Sequence, residues 1–215
     1  MRPQQVLLLG LILLVPVLAF LFLKSFGTNR YALPTYLPER VDSTLVAGKW
    51  QRDTVFHQVG EFALRTQAGR QLTGAELRSQ GLYVLTTYAA DCGLSCERQN
   101  AQLVRVQEKF RHDARVRLAS LSLNSDSAVA LARQAESYGA IAGKWFFLAA
   151  DKSDVDRLLT REFGLTPAPG AATPRVALLI DRNGYVRGRY DGTSERDMNR
   201  LITEINVLLY TYEHP

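Results

Sequence analysis

A strand-like apolar segment, Leu82–Tyr88, runs into the loop Ala89-Ala90-Asp91-Cys92-Gly93-Leu94-Ser95-Cys96, after which Leu103, Val106 and Phe110 keep helical spacing. No other feature constrains the fold as strongly, because the chain's only two cysteines fall four residues apart where a buried strand gives way to a helix. Residues at i and i+4 share a helical face, and the free backbone N–H groups of a helix start favour a thiolate. Two sulfurs so placed can form a disulfide, exchange with a partner's disulfide, or grip a soft ion such as Cu(I). Asp91 opposes a thiolate at Cys92, whereas Arg98 or Arg175 favours one if folded close. A disulfide here closes a small ring and constrains the unfolded chain little, so stability is a weak reason for it. Spacing alone still leaves a permanent structural disulfide open.

The surrounding pattern alternates strands and helices. Glu61–Arg65 reads as a strand turning through Gln67-Ala68-Gly69-Arg70 into Gln71-Leu72, and Thr73 with Glu76 forms a capping box for a short helix. Val116–Leu123 is the next strand, and Asp126 or Ser127 caps a helix bearing Ala128, Leu131, Ala132 and Ala135 on one face. Trp145–Ala149 is strand-like, Val155, Leu158, Leu159 and Phe163 mark another helix, and Gly164–Pro174 is a Pro/Gly/Ala-rich loop. Val176–Ile180 and Tyr185–Tyr190 flank the hairpin signal Asn183-Gly184. A last helix carries Met198, Leu201, Ile202, Ile205, Leu208 and Leu209 on one stripe behind Ser194 and Asp197. This order predicts an α/β protein of thioredoxin-like fold, a mixed central sheet with helices on both faces, an N-terminal hairpin and an extra helix-strand insertion.

Upstream, Val6–Leu23 is an uncharged apolar run long enough for a single transmembrane helix. A cleavable signal peptide is the rival reading, since Val17-Leu18-Ala19 fits a small-residue cleavage site, but Phe20–Leu23 extends the run beyond it. No cysteine lies near the run, which argues against a lipid-modified N-terminal cysteine. Charge does not orient the helix, because Arg2 on one side faces Lys24 and Arg30 on the other. The expected organisation is an anchor over 1–24, an extended, proline-punctuated linker over 25–54 and a thioredoxin-like domain over 55–215. With 215 residues there is room for one such domain plus an appendage, and 47% hydrophobic against 22% charged residues excludes a disordered or polytopic chain. The net charge is +5, with both signs interspersed and no basic run longer than two residues, so nucleic acid is not an expected partner.

From about Phe56 to Leu209 the chain resembles the Sco/SenC family of membrane-anchored, thioredoxin-fold proteins that assist assembly of the dinuclear copper centre of cytochrome c oxidase. The residues that carry the resemblance are Val59-Gly60-Glu61-Phe62-Ala63-Leu64, the CxxxC of Cys92 and Cys96, Tyr138-Gly139 with Trp145-Phe146-Phe147-Leu148, and Arg187-Gly188-Arg189-Tyr190-Asp191-Gly192-Thr193. The resemblance implies that Cys92 and Cys96 are both the redox pair and copper ligands. It also implies Cu(I) as the metal, a copper-bearing oxidase subunit or another thiol/copper protein as partner, and a single-pass membrane location with the domain on the extracytoplasmic, periplasmic side.

Three departures stand out. Gly93 and Glu97 occupy places where members usually carry prolines. Counting back from Asp181 puts Thr173 where members supply a histidine copper ligand, so Cu(II), which prefers a nitrogen-containing tetragonal set, is expected to bind much more weakly than in members that keep it. The family's Asp-Pro after the middle strand is Leu123-Asn124, with Asp126 nearby. None of His57, His112 or His214 stands at a ligand position; His112 suits the end of the cysteine-bearing helix, and each reads as a surface or capping residue. Thr173-Pro174 is similar to the cis-proline that faces the cysteines in thioredoxin-like reductases, a turn-forming trans proline being the plainer reading. Two other functions stand beside the Sco reading. One is a general thiol-disulfide oxidoreductase without copper, in which Cys92 attacks and Cys96 resolves. The other is a non-catalytic tethered interaction domain.

Overall fold

The computed structural model describes residues 3–26, 33–46, 48–89, 93–166 and 175–214. The chain divides into two units, 1–32 and 33–215. The first holds helix α1, Pro3–Phe26. Leu11 through Phe22 are exposed. Among the described residues no helix is long and apolar enough to cross a membrane.

The second unit is built on a seven-stranded sheet in the order β4-β3-β7-β6-β5-β8-β9. Its strands are β3 (Ala63–Thr66), β4 (Gln71–Thr73), β5 (Leu82–Tyr88), β6 (Val116–Ser122), β7 (Trp145–Ala149), β8 (Val176–Ile180) and β9 (Val186–Asp191). β5, β6 and β7 run parallel, as crossover helices require, while β3, β4, β8 and β9 pair antiparallel at the two flanks. The helices are α2 (Gly74–Arg78), α3 (Gly93–Lys109), α4 (Ala128–Ser137), α5 (Lys152–Arg161) and α6 (Glu195–Glu213).

Alternation along β5 divides the core in two. Leu82, Val84 and Tyr88 face one layer with residues of α3, α4 and α6; Tyr83 and Leu85 face the other with α2 and α5. Every residue of β5 is buried, the polar Thr86 and Thr87 included, so the strand shows no alternation of exposed and buried positions. Trp145, with no exposed surface, packs beside Tyr138 and Phe147, and its indole N–H donates to Ser120 Oγ at 2.9 Å. Thr86 Oγ1 lies 3.2 Å from the same hydroxyl, so the buried polar atoms of three adjacent strands satisfy one another.

Helix ends follow the sequence with small changes of partner. Thr73 and Glu76 make the reciprocal capping box. Ser127 caps α4 through Ala130 N–H, while Asp126 is held by Ser122. Ser194 accepts from Asp197 N–H, but the Asp197 carboxylate turns to Asp191 N–H. α3 ends at Lys109, so His112 lies in the turn beyond it rather than at its last turn.

The segment expected to be an extended linker over 25–54 contains paired strands. Its backbone is extended, but Pro38–Val46 (β1) and Lys49–Phe56 (β2) pair as an antiparallel hairpin, a two-stranded sheet separate from the main one. Proline spacing signals extended backbone but not whether a second strand lies within pairing reach. Leu33–Leu37 is also held: Tyr36 N–H donates to Val186 O at 2.8 Å, His57 N–H to Leu37 O at 2.8 Å, and Arg187 to the carbonyls of Leu33 and Pro34.

At the end of the sheet where β5 and β6 begin, Asp113 accepts three bonds from Arg115, at 3.0, 2.9 and 2.7 Å. These bonds hold the Asp113 carboxyl below its ordinary value of 3.8, against a smaller upward push from burial. A carboxyl depressed on folding stabilises the native state above its unfolded value, and that contribution disappears as pH falls through the lower folded value. Replacing Asp113 by Asn should therefore flatten the decline of thermal stability below about pH 4 and leave the redox behaviour of the cysteines unchanged. Unfolding scans of the two proteins across acid pH check this; parallel curves would refute it.

Candidate functional site

Cys96 lies in the first turns of α3, directly beyond the end of the central strand β5. It is disulfide-bonded, half-buried and packed against the core layer of α3 and α6. Cys92, the chain's only other cysteine, lies outside the described residues, as do Asp91 and the loop residues 167–174 that include Thr173 and Pro174. The helix start is built where β5 delivers it: pairing with β6, Tyr88 opposite Ser122, and with β8 fixes the end of the strand, and the buried stripe Gln99, Asn100, Leu103, Val106 and Gln107 fixes the roll of α3.

Two further segments close around this helix start. Gln99, 2% exposed, donates through Nε2 to Thr87 O at 2.9 Å, tying the helix to the strand that precedes it. A β-carbon at Gly192 would stand 2.8 Å from Gln99 Oε1, so glycine lets the Tyr190-Asp191-Gly192-Thr193 loop approach α3 closely. That loop is itself fixed. Asp191 Oδ1 accepts from Thr193 N–H at 2.9 Å and Thr193 Oγ1 at 2.7 Å, which holds its carboxyl below the ordinary range. Gly192 N–H donates to Arg175 O at 2.6 Å.

On the β6 side, Leu123 N–H donates to Tyr88 O at 2.8 Å and Ser122 Oγ to Asp126 Oδ2 at 2.6 Å. Tyr88 is 3% exposed, and its hydroxyl and Asn100 Oδ1 are buried with no geometric hydrogen-bond partner among the described residues. Burial first, and then the nearby Asp126 charge, push the Tyr88 phenol well above its ordinary range, so it stays neutral at any physiological pH.

Of the residues singled out from the sequence, Cys96 takes the expected place. Arg98 is exposed on α3, and Arg175 is near enough to Asp191 to lower its carboxyl. The histidines stand apart from one another: His57 pairs with Glu162 at 3.4 Å, His112 follows α3, and His214 stacks on Tyr210. Among the described residues no group of three or more His, Cys, Asp or Glu could hold a metal ion. Nothing in the sequence around Gln99, Asn100 and Tyr88 marks them for this site except position, since 96, 99, 100 and 103 follow one helical stripe in which polar residues take core places.

Strand order, parallel centre and the disulfide-bonded Cys96 at the head of α3 define a thioredoxin-like protein. No protein-family model matches the sequence, and no curated protein does. Among solved structures the chain is similar to an SCO1/SenC family lipoprotein from Bacillus anthracis, with TM-score 0.63 and 19% identity over 71% of this chain and 95% of that one. It is similar to BsSco, described as a member of the Sco family of cytochrome c oxidase assembly proteins with a disulfide switch, with TM-score 0.61 and 19% identity over 70% and 92%. A thiol-disulfide oxidoreductase from Bacteroides fragilis aligns with TM-score 0.53 and 16% identity over 69% and 98%. At these identities the likeness is one of fold, and that fold is the one on which Sco proteins and thiol-disulfide oxidoreductases are built.

Proposed function

We propose that this chain is a membrane-tethered, Sco-type thiol-disulfide protein whose Cys92 and Cys96 serve assembly of a copper centre in cytochrome c oxidase. The observation that carries the reading is the disulfide at Cys96, half-buried at the head of α3 behind the central parallel strand. A sulfur there is within reach of a partner, unlike one sealed in the core. Exchange balances simply: a partner thiolate attacks one sulfur, a mixed disulfide forms and a thiolate leaves. Two partner thiols then end as a disulfide while this chain gains two electrons and two protons.

Copper enters as cargo. A disulfide offers no thiolate, so the pair must be reduced before it can take Cu(I), which two thiolates satisfy. The histidines give no support for a nitrogen-completed Cu(II) site, since none of them stands beside another candidate donor of the cysteine helix. Anaerobic Cu(I) titration of the reduced full-length chain in detergent should give about one ion per chain, and Cys96→Ser should lose it. Retained thiol-disulfide exchange with no Cu(I) uptake would favour the second reading, a general oxidoreductase. That reading is supported by the oxidoreductase of the same fold.

The tether is the uncharged apolar run Val6–Leu23 within α1, which is long enough for a hydrocarbon core of about 30 Å. Its exposed face from Leu11 to Phe22 is wholly apolar. We place its N-terminus in the cytoplasm and everything after Lys24 on the extracytoplasmic side. Reporter fusions after Leu33 test this; activity of a reporter that works only in the cytoplasm would overturn it.

A further inference from the structure

The β1–β2 hairpin is out of keeping with the rest of the second unit. A lone two-stranded ribbon is marginal in water, yet this one exposes three large apolar side chains, Val41 at 59%, Leu45 at 59% and Trp50 at 72%. They are not scattered. Pairing of Val41 with Thr54, Ser43 with Arg52 and Leu45 with Trp50, with no register shift between, puts all three on one face. Over the regularly paired stretch from Val41 to Thr54 that face carries Arg52 and no carboxylate. Both aspartates of the hairpin, Asp42 and Asp53, sit directly opposite each other on the other face. Like charges across a strand pair are unfavourable, and here Arg40 on the same face eases them by pairing with Asp42 at 3.2 Å.

We infer that the face bearing Val41, Leu45, Trp50 and Arg52 lies on an anionic lipid surface. The inference rests on the membrane-anchor reading above. Indole rings favour the headgroup region, where one edge is apolar and the N–H is wet, and a basic side chain beside them pairs with lipid phosphates. Chain continuity favours lipid over a protein partner. From Phe26, where the apolar helix ends, to Leu33 the backbone spans at most about 25 Å however it runs. Strands of 9 and 8 residues reach about 30 Å. The covalent link is thus no longer than the hairpin, so the hairpin can reach a bilayer that holds α1.

The two tryptophans make this measurable. Trp145 has no exposed surface, so any change in access to aqueous acrylamide reports Trp50. Full-length protein is reconstituted in vesicles of phosphatidylcholine alone and of equal parts phosphatidylcholine and phosphatidylglycerol. In the anionic vesicles Trp50 emission should shift to the blue, lose quenching by acrylamide and gain quenching by brominated lipid. Trp50→Phe should lose the lipid-quenchable emission, Arg52→Glu should restore acrylamide quenching, and Arg52→Lys should not. Protein that floats with vesicles yet keeps Trp50 equally open to acrylamide in both overturns the hairpin inference and leaves the anchor standing. Shielding that follows protein concentration and ignores lipid charge also overturns it, the occupant then being a second copy. Failure to float at all overturns the anchor reading and this inference with it.

Discussion

Cys96→Ser should remove every two-electron redox transition from the protein while leaving it folded. The unaltered chain holds two cysteines, so one substitution leaves no intramolecular disulfide possible. The unaltered pair should titrate in glutathione buffers at a potential above about −300 mV, the range of open rather than sealed disulfides, because Cys96 is half-buried and not enclosed. Alkylation of the thiols at each buffer ratio reads the titration. The fold should tolerate the loss, since closing so short a ring contributes only about 2 kcal/mol and both core layers remain. If strong reductant exposes no thiol in the folded protein, the bridge is structural and the redox reading falls. If the variant unfolds, the bridge is a staple and the same conclusion follows.

Trp145→Ala should cause the largest loss of stability of any single change in the sheet. The indole is fully buried, lies 5.2 Å from the Phe147 ring and 6.4 Å from Tyr138, and satisfies Ser120. Removing it leaves a cavity between α4 and the sheet and strands a hydroxyl that also serves Thr86. The expected cost is about 3–5 kcal/mol, a substantial part of the roughly 5–15 kcal/mol that holds a domain together. For a unit of this size the melting temperature should drop by about 10 °C. Trp145→Phe keeps most of the apolar volume and loses the hydrogen bond, so its cost should be near 1 kcal/mol. A drop under about 2 °C for the alanine variant would show that the layer collapses around the gap.

The same tryptophan shows why so much of the fold was legible. Trp145–Ala149, Val116–Ser122 and Leu82–Tyr88 are apolar runs of strand length separated by helical stripes, and such alternation has few packings besides a parallel sheet covered on both faces. Thr73 with Glu76 and Ser194 before Asp197 announced helix starts because capping is local chemistry within four residues. The β1–β2 hairpin was missed because a ribbon whose residues are nearly all exposed carries no buried face to impose a period. The site was half legible. A cysteine pair at a strand-helix junction is visible in one dimension, but Gln99 and Asn100 looked like ordinary polar residues of a surface helix.

What the sequence determined by itself was the kind of fold and the position of the cysteines within it, since hydrophobic period, turn residues and caps act over a few residues and leave their trace in order. Tertiary structure decided what surrounds Cys96. It set Gln99 against Thr87, brought Gly192 to α3, buried the Tyr88 hydroxyl, and left His57, His112 and His214 at separate places. Each of those relations joins residues far apart in the chain, and their distances arise only when the two faces of the sheet are packed and every helix has taken its roll.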